Sequence, residues 1–153
     1  MIEKRITSLG FSLPNVPVPL AAYIPSVRTG NYVFTSGQLP MNDGVLQYKG
    51  KVGKDVSEEE AKKAAQISVL NCLAAIKGAC GDLDKIERIV KVTVFVNSDS
   101  SFVNQPEVAN GASELLVAIF GEKGKHARAA VGVNVLPRDA SVEIEMIVEI
   151  SEG

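Results

Sequence analysis

Arg128 is the residue whose setting most needs a chemical explanation. It lies in Ala127-Arg128-Ala129-Ala130-Val131, a small and apolar run that reads as a strand, and a guanidinium there needs a partner. Two partners fit. One is a structural ion pair to Glu143 or Glu145 on a neighbouring strand. The other is an incoming carboxylate, which the planar fork grips through two parallel hydrogen bonds. Glu143 comes soon after the turn Leu136-Pro137-Arg138-Asp139 and alternates outward, so alone it reads as a solvated edge residue. His126, the one histidine, reads as a surface or cap residue, with a pH-switching role open. Ser36-Gly37 lacks the N-terminal glycine of a nucleophile elbow and does not form a phosphate loop. Its interest is the backbone N–H groups that a bulge at glycine leaves available.

Other chemistries lack their residues. Cys72 and Cys80 sit eight apart in one helical pattern, too far for neighbouring turns and at no metal-ligand spacing, so they read as small core hydrophobes. With one histidine, the His/Cys clusters of zinc sites cannot be assembled, and the carboxylates do not cluster, so no metal is expected. A net charge of −2 without any basic block leaves nucleic acid without its electrostatic footprint. No apolar run reaches the roughly 20 residues of a membrane span, and Met1 to Arg5 does not open a secretory signal, so the expected compartment is the cytoplasm.

These residues need positioning elements, and 153 residues suit a single domain, 1–153. Ile2, Ile6 and Leu9 before Gly10 suggest a short helix. Pro14, Pro17, Pro19 and Pro25 make the following stretch an extended arm, so that 1–25 form an N-terminal helix and Pro-rich arm. Asn31 to Leu39 and Val45 to Tyr48, separated by Asn42-Asp43-Gly44, read as a β-hairpin, with Gly37 marking a bulge or a close approach. Ser57 with Glu58, Glu59 and Glu60 forms a capping box. The helix it opens buries Ala61, Ala65, Val69, Cys72 and Ile76 and closes at Gly81. Arg88 to Asn97 reads as an interior strand, Gln105-Pro106-Glu107 opens a second helix, and Ala127 to Val135 reads as a strand. In the last strand Val142, Ile144, Met146, Val148 and Ile150 take one face, and Glu143, Glu145, Ile147 and Glu149 the other. Such an order favours an α+β fold with one mixed sheet and both helices on one face. The other face carries Val, Ile and Phe among its glutamates, which points to oligomer formation.

Three stretches, taken in order, are similar to one known family. They are Tyr32-Val33-Phe34-Thr35-Ser36-Gly37-Gln38-Leu39-Pro40, Val92-Thr93-Val94-Phe95-Val96, and Arg128 followed by Leu136-Pro137 and Val142-Glu143-Ile144-Glu145. Together they resemble the Rid (YjgF-like) family from about Tyr23 to Ile150, in a branch longer than its short members. The resemblance implies a chorismate-mutase-like α+β fold, a homotrimer, and clefts at the subunit interfaces. It implies hydrolysis of 2-imino acids to 2-keto acids and ammonia without a cofactor, the ligand being a small 2-imino or 2-keto carboxylate. Carried over by position, Arg128 would hold the carboxylate, Glu143 would position the attacking water, Tyr23 would line the cleft, and Ser36 with Gly37 would form the backbone-donor turn. Many short members carry a cysteine two positions after the arginine, where this chain has Ala130.

A protonated imine is already electrophilic, so orientation by a carboxylate grip and a placed water would suffice for that reaction. The rival is a small-carboxylate-binding or regulatory trimer without turnover. A ribonuclease reading, which follows labels attached to some relatives, gains nothing from an acidic chain with one histidine.

Overall fold

Ser57 starts the longest helix as its neighbours dictate. Its hydroxyl accepts from the Glu60 N–H at 3.1 Å, while the Glu60 carboxylate accepts from the Ser57 N–H at 3.0 Å. In the computed structural model, which describes residues 1–16 and 22–152, this helix follows one α-helix and four strands. They are α1 (Ile2–Ser8), β1 (Ser26–Thr29), β2 (Tyr32–Thr35), β3 (Met41–Asn42) and β4 (Val45–Leu46). Next come α2 (Glu58–Cys80), β5 (Ile86–Asn97), α3 (Gln105–Phe120), β6 (Ala127–Val133) and β7 (Val142–Ile150). Gly81, at φ +86°, ends α2 in a conformation glycine adopts without strain.

The main sheet runs β1-β2-β7-β5-β6, with β5 and β6 parallel through α3 and the other neighbours antiparallel. Along β7 the period of two sends Val142, Ile144, Met146, Val148 and Ile150 into the core. There they meet the stripe Ala61, Ala65, Val69, Cys72 and Ile76 of α2, which is buried throughout. Helix α2 packs on β7, β2 and β1, and α3 packs on β6 and β5, so both cover the same face. Gly111 lets the two helices approach closely, because a Cβ there would collide with the Lys62 carbonyl oxygen.

The opposite face is bare among the described residues. Register places Tyr32 and Phe34 of β2, Ile147 of β7, Phe95 of β5 and Val131 of β6 on it, among Glu143, Glu145 and Glu149. Tyr32, Phe34 and Val131 keep 43%, 40% and 42% of their surface, so large apolar side chains stand exposed along this face.

Three expectations change. Strand β2 does not pair with the Val45–Tyr48 region. Its hairpin partner is β1, which enters after Pro25 and turns at Gly30-Asn31, with Gly30 at φ +58°. The Asp43-Gly44 turn does form, but it joins the two-residue strands β3 and β4. The third change is that β6 ends at Val133 rather than Val135. Of the proline arm, residues 17–21 lie outside the described residues. Val16 rests on α2, where a Cβ on Gly78 would come within 2.7 Å of its Cγ1.

Candidate functional site

After β2 the chain leaves the ladder and rejoins it at Gln38, which exchanges bonds of 2.7 and 3.0 Å with Ile144 on β7. Ser36 and Gly37 fill the interval. The Ser36 hydroxyl donates to the Ile24 carbonyl at 2.6 Å and its N–H to the Pro25 carbonyl at 2.8 Å. Ser36 therefore fastens the segment carrying Tyr23, and its own N–H is not available to a ligand. The Gly37 N–H has no hydrogen-bond partner among the described residues.

Gly37 is a glycine because of what lies against it. A Cβ there would collide with Oε2 of Glu143, so the carboxylate occupies the space a side chain would take. Glu143 is half-buried, and burial, helped by the charge of Glu145, raises its carboxyl above the usual range. A carboxylate of raised proton affinity is a better general base. Beside it Tyr23, Gly37, Gln38, Asn71 and Arg138 line a groove of about 560 Å³. Tyr23 is exposed at the groove wall, and Arg138 sits in a left-handed turn at φ +59°.

Arg128 is not in that groove. It pairs with Val92, whose side chain is buried beneath the helices, so Arg128 leaves β6 on the helix side. Glu143 pairs with Phe95, which pairs with Val131, and all three take the bare side. Two strand spacings across and three residues along separate the two positions, roughly 14 Å before the sheet's thickness is added.

The guanidinium Nη1 donates to Asn110 Oδ1 at 2.8 Å and to Ser113 Oγ at 3.2 Å, both on α3. These partners are neutral. Among the described residues Arg128 makes no ion pair, which removes the bond to Glu143 or Glu145 as its explanation. Asn110 and Ser113 carry no chemical motif in the sequence, and only their spacing of three beside the buried stripe of α3 sets them on one helix face.

His126 is a half-buried bridge rather than a surface residue. Its Nδ1 lies 2.6 Å from the Gly124 carbonyl and its Nε2 lies 2.9 Å from Ser113 Oγ. Burial lowers its pKa, the Arg128 charge adds to this, and the bond to Gly124 opposes it. Cys72 is fully buried, its thiol pushed up to about 12 by desolvation, so it is no nucleophile. Ala130, on the helix side with Arg128, packs against the core. No group of three or more metal-ligating side chains gathers among the described residues, and no helix there is long and apolar enough to cross a membrane.

Residues 3–150 match the family model described as "YjgF/chorismate_mutase-like, putative endoribonuclease". The chain is 41% identical over 151 residues to Protein TCP17 of Trypanosoma cruzi, covering 98% of this chain and 94% of that one. It is 32% identical over 150 residues to the 2-iminobutanoate/2-iminopropanoate deaminase of Dermatophagoides farinae, covering 98% and 99%. A crystal structure of an Agrobacterium tumefaciens protein of unknown function superposes with a TM-score of 0.91 at 48% identity, over 97% of this chain and 91% of that one. The α+β fold, the bulge that seats Glu143 against Gly37 and the match along nearly the whole chain agree: this protein belongs to the YjgF, or Rid, family.

Proposed function

We propose that the protein hydrolyses small 2-imino acids to 2-keto acids and ammonia, in clefts formed where copies of the chain meet as a trimer. The observation that carries this reading is an arginine without an anion: among the described residues Arg128 has only neutral partners. A guanidinium on an edge strand, with no ion pair among the described residues, is suited to a carboxylate. The bare sheet face supplies the reason for assembly, and the deaminase among the relatives supplies the reaction class.

Arg128 of one copy holds the substrate carboxylate, while Glu143, Gly37 and Tyr23 of a neighbour surround the reacting carbon. Water adds to C2 of the protonated imine as Glu143 accepts its proton. The resulting carbinolamine takes that proton on nitrogen, the freed Glu143 carboxylate accepts its hydroxyl proton as the C=O forms, and the C–N bond breaks to release ammonia. An enamine reaches the same path after tautomerising to the imine. The Gly37 N–H, which has no partner among the described residues, donates in this reading to the hydroxyl oxygen as it develops, the role of a preorganised backbone donor. The water's oxygen becomes the ketone oxygen, and no electrons are transferred.

The test is to generate 2-aminoacrylate with a dehydratase and follow pyruvate release. Wild type should accelerate release, and Arg128→Ala and Glu143→Gln should not. Equal rates for wild type and buffer would end the proposal. Ligand binding that survives Glu143→Gln without turnover in either protein would leave only the binding trimer.

A further inference from the structure

The hydrogen bonds around Arg128 have a direction that can be deduced. The Gly124 carbonyl only accepts, so the His126 Nδ1 that lies 2.6 Å from it carries a hydrogen. A neutral ring then leaves Nε2 as an acceptor, and among the described residues the hydrogen that reaches it across 2.9 Å is that of Ser113. With its hydrogen committed, the Ser113 oxygen turns its lone pairs to Arg128 Nη1, 3.2 Å away. The depressed pKa of His126 agrees with the neutral ring.

The order of donation is therefore Arg128 to Ser113, Ser113 to His126, and His126 to the backbone of Gly124. Asn110 Oδ1 takes the second Nη1 hydrogen at 2.8 Å. Both hydrogens of Nη1 are then used, and Nε and Nη2 have no partner among the described residues. What remains is the side edge of the guanidinium, Nε–H with Nη2–H, a fork that matches the two oxygens of a carboxylate. The end-on fork, which needs Nη1, is closed.

We propose that Ser113 and His126 are positioning residues for Arg128: by clamping Nη1 against α3 they present the Nε and Nη2 edge to the carboxylate of the ligand. This rests on the reading of Arg128 as the carboxylate holder. Ser113 and His126 need not touch substrate. His126 acts by fixing which way one hydroxyl points, and Gly124, which is buried at the end of the loop after α3, anchors the ring.

The experiment measures 2-oxobutanoate binding to the assembled protein by titration calorimetry, which does not depend on turnover, with folding checked by thermal melts. Ser113→Ala removes the acceptor, and His126→Phe keeps the ring's bulk but leaves the hydroxyl undirected. Each should weaken binding by roughly three- to tenfold, the loss of one positioned hydrogen bond to a charged group. Ser113→Thr and His126→Gln, which restore a hydroxyl and an acceptor, should return affinity to within about twofold. Where turnover is measurable, the loss should fall on KM rather than kcat, because the carboxylate grip is made equally in ground and transition states. A general packing role would not be rescued by threonine or glutamine. If all four variants bind like wild type while Arg128→Ala does not, the positioning role is wrong and the carboxylate site stands. Should Arg128→Ala also bind like wild type, the proposed site itself fails.

Discussion

Mixed assemblies of two inactive variants test the division of the site between copies. Within one chain Arg128 and Glu143 lie on opposite sides of the sheet, two strands and three residues apart. Their backbones stand roughly 14 Å apart and the side chains leave from opposite faces, so the sheet itself lies between the two groups. If both groups serve one substrate, they come from different copies. Co-expression of Arg128→Ala and Glu143→Gln chains with different tags, purified for molecules carrying both, then rebuilds some intact clefts. A cleft is intact when its arginine comes from a Glu143→Gln chain and its glutamate from an Arg128→Ala chain. In a cyclic trimer that holds both variants, two chains of one and one of the other, a single interface of the three meets both conditions, so about a third of clefts regain both groups.

The background against which this appears is low. Truncating one partner of a buried, hydrogen-bonded charge pair costs about 2–5 kcal/mol, which is at least about thirtyfold in rate. Each variant alone should therefore release keto acid at no more than a few per cent of the wild-type rate. The mixture should reach roughly a third, well resolved in a coupled assay with 2-aminoacrylate made in place. A mixture no faster than the mean of its parents would show that the two groups do not meet across an interface, and the cleft reasoning would be refuted.

Four further outcomes follow from local geometry. Gly37→Ala should leave the melting temperature nearly unchanged, since Gly37 is exposed, yet displace the Glu143 carboxylate and lower kcat/KM by up to about a hundredfold, the cost of roughly 1 Å of misplacement; unchanged kinetics would remove Glu143 from the mechanism. Ser57→Ala deletes one half of the capping box and should cost about 1 kcal/mol in urea unfolding, with no change in activity of the folded protein. Because the folded pKa of Glu143 is raised, its contribution is fully present below the unfolded value near 4.5 and is lost as pH rises through the folded value. Glu143→Gln should therefore match wild-type stability at pH 4 and exceed it at pH 8, and a deficit at pH 8 would contradict the sign. His126 has the opposite slope: its depressed pKa gives stability present above about 6.5 and lost on acidification, so His126→Gln should flatten the acid side of the melting profile.

How far the sequence carries such a site depends on parity. In β7 the alternation of Val142, Ile144 and Met146 with Glu143 and Glu145 settles which face each residue takes, and the structure agrees. The capping box at Ser57 and the stripe down α2 were equally legible, because local hydrogen bonds and a 3.6-residue period are properties of short segments. Strand β1 was hidden by its neighbourhood: four prolines before it suggested an arm, and Gly30-Asn31, the turn that closes the real hairpin, competed with Asp43-Gly44. Strand β6 is harder still. Ala127-Arg128-Ala129-Ala130-Val131-Gly132 has too little contrast to show an inner and an outer face, and a slip of one residue moves the guanidinium through the sheet. Its face depends on pairing with β5 across the α3 crossover, a contact no local pattern encodes. Asn110, Ser113 and His126 become meaningful only after that pairing is known, because they are partners of Arg128 solely when it leaves β6 on the helix side. The proposed site, with its edge strand and its bulge, thus has two halves with separate local causes. Gly37 is small because Glu143 needs its space, and Arg128 is held by neutral groups that leave its charge available.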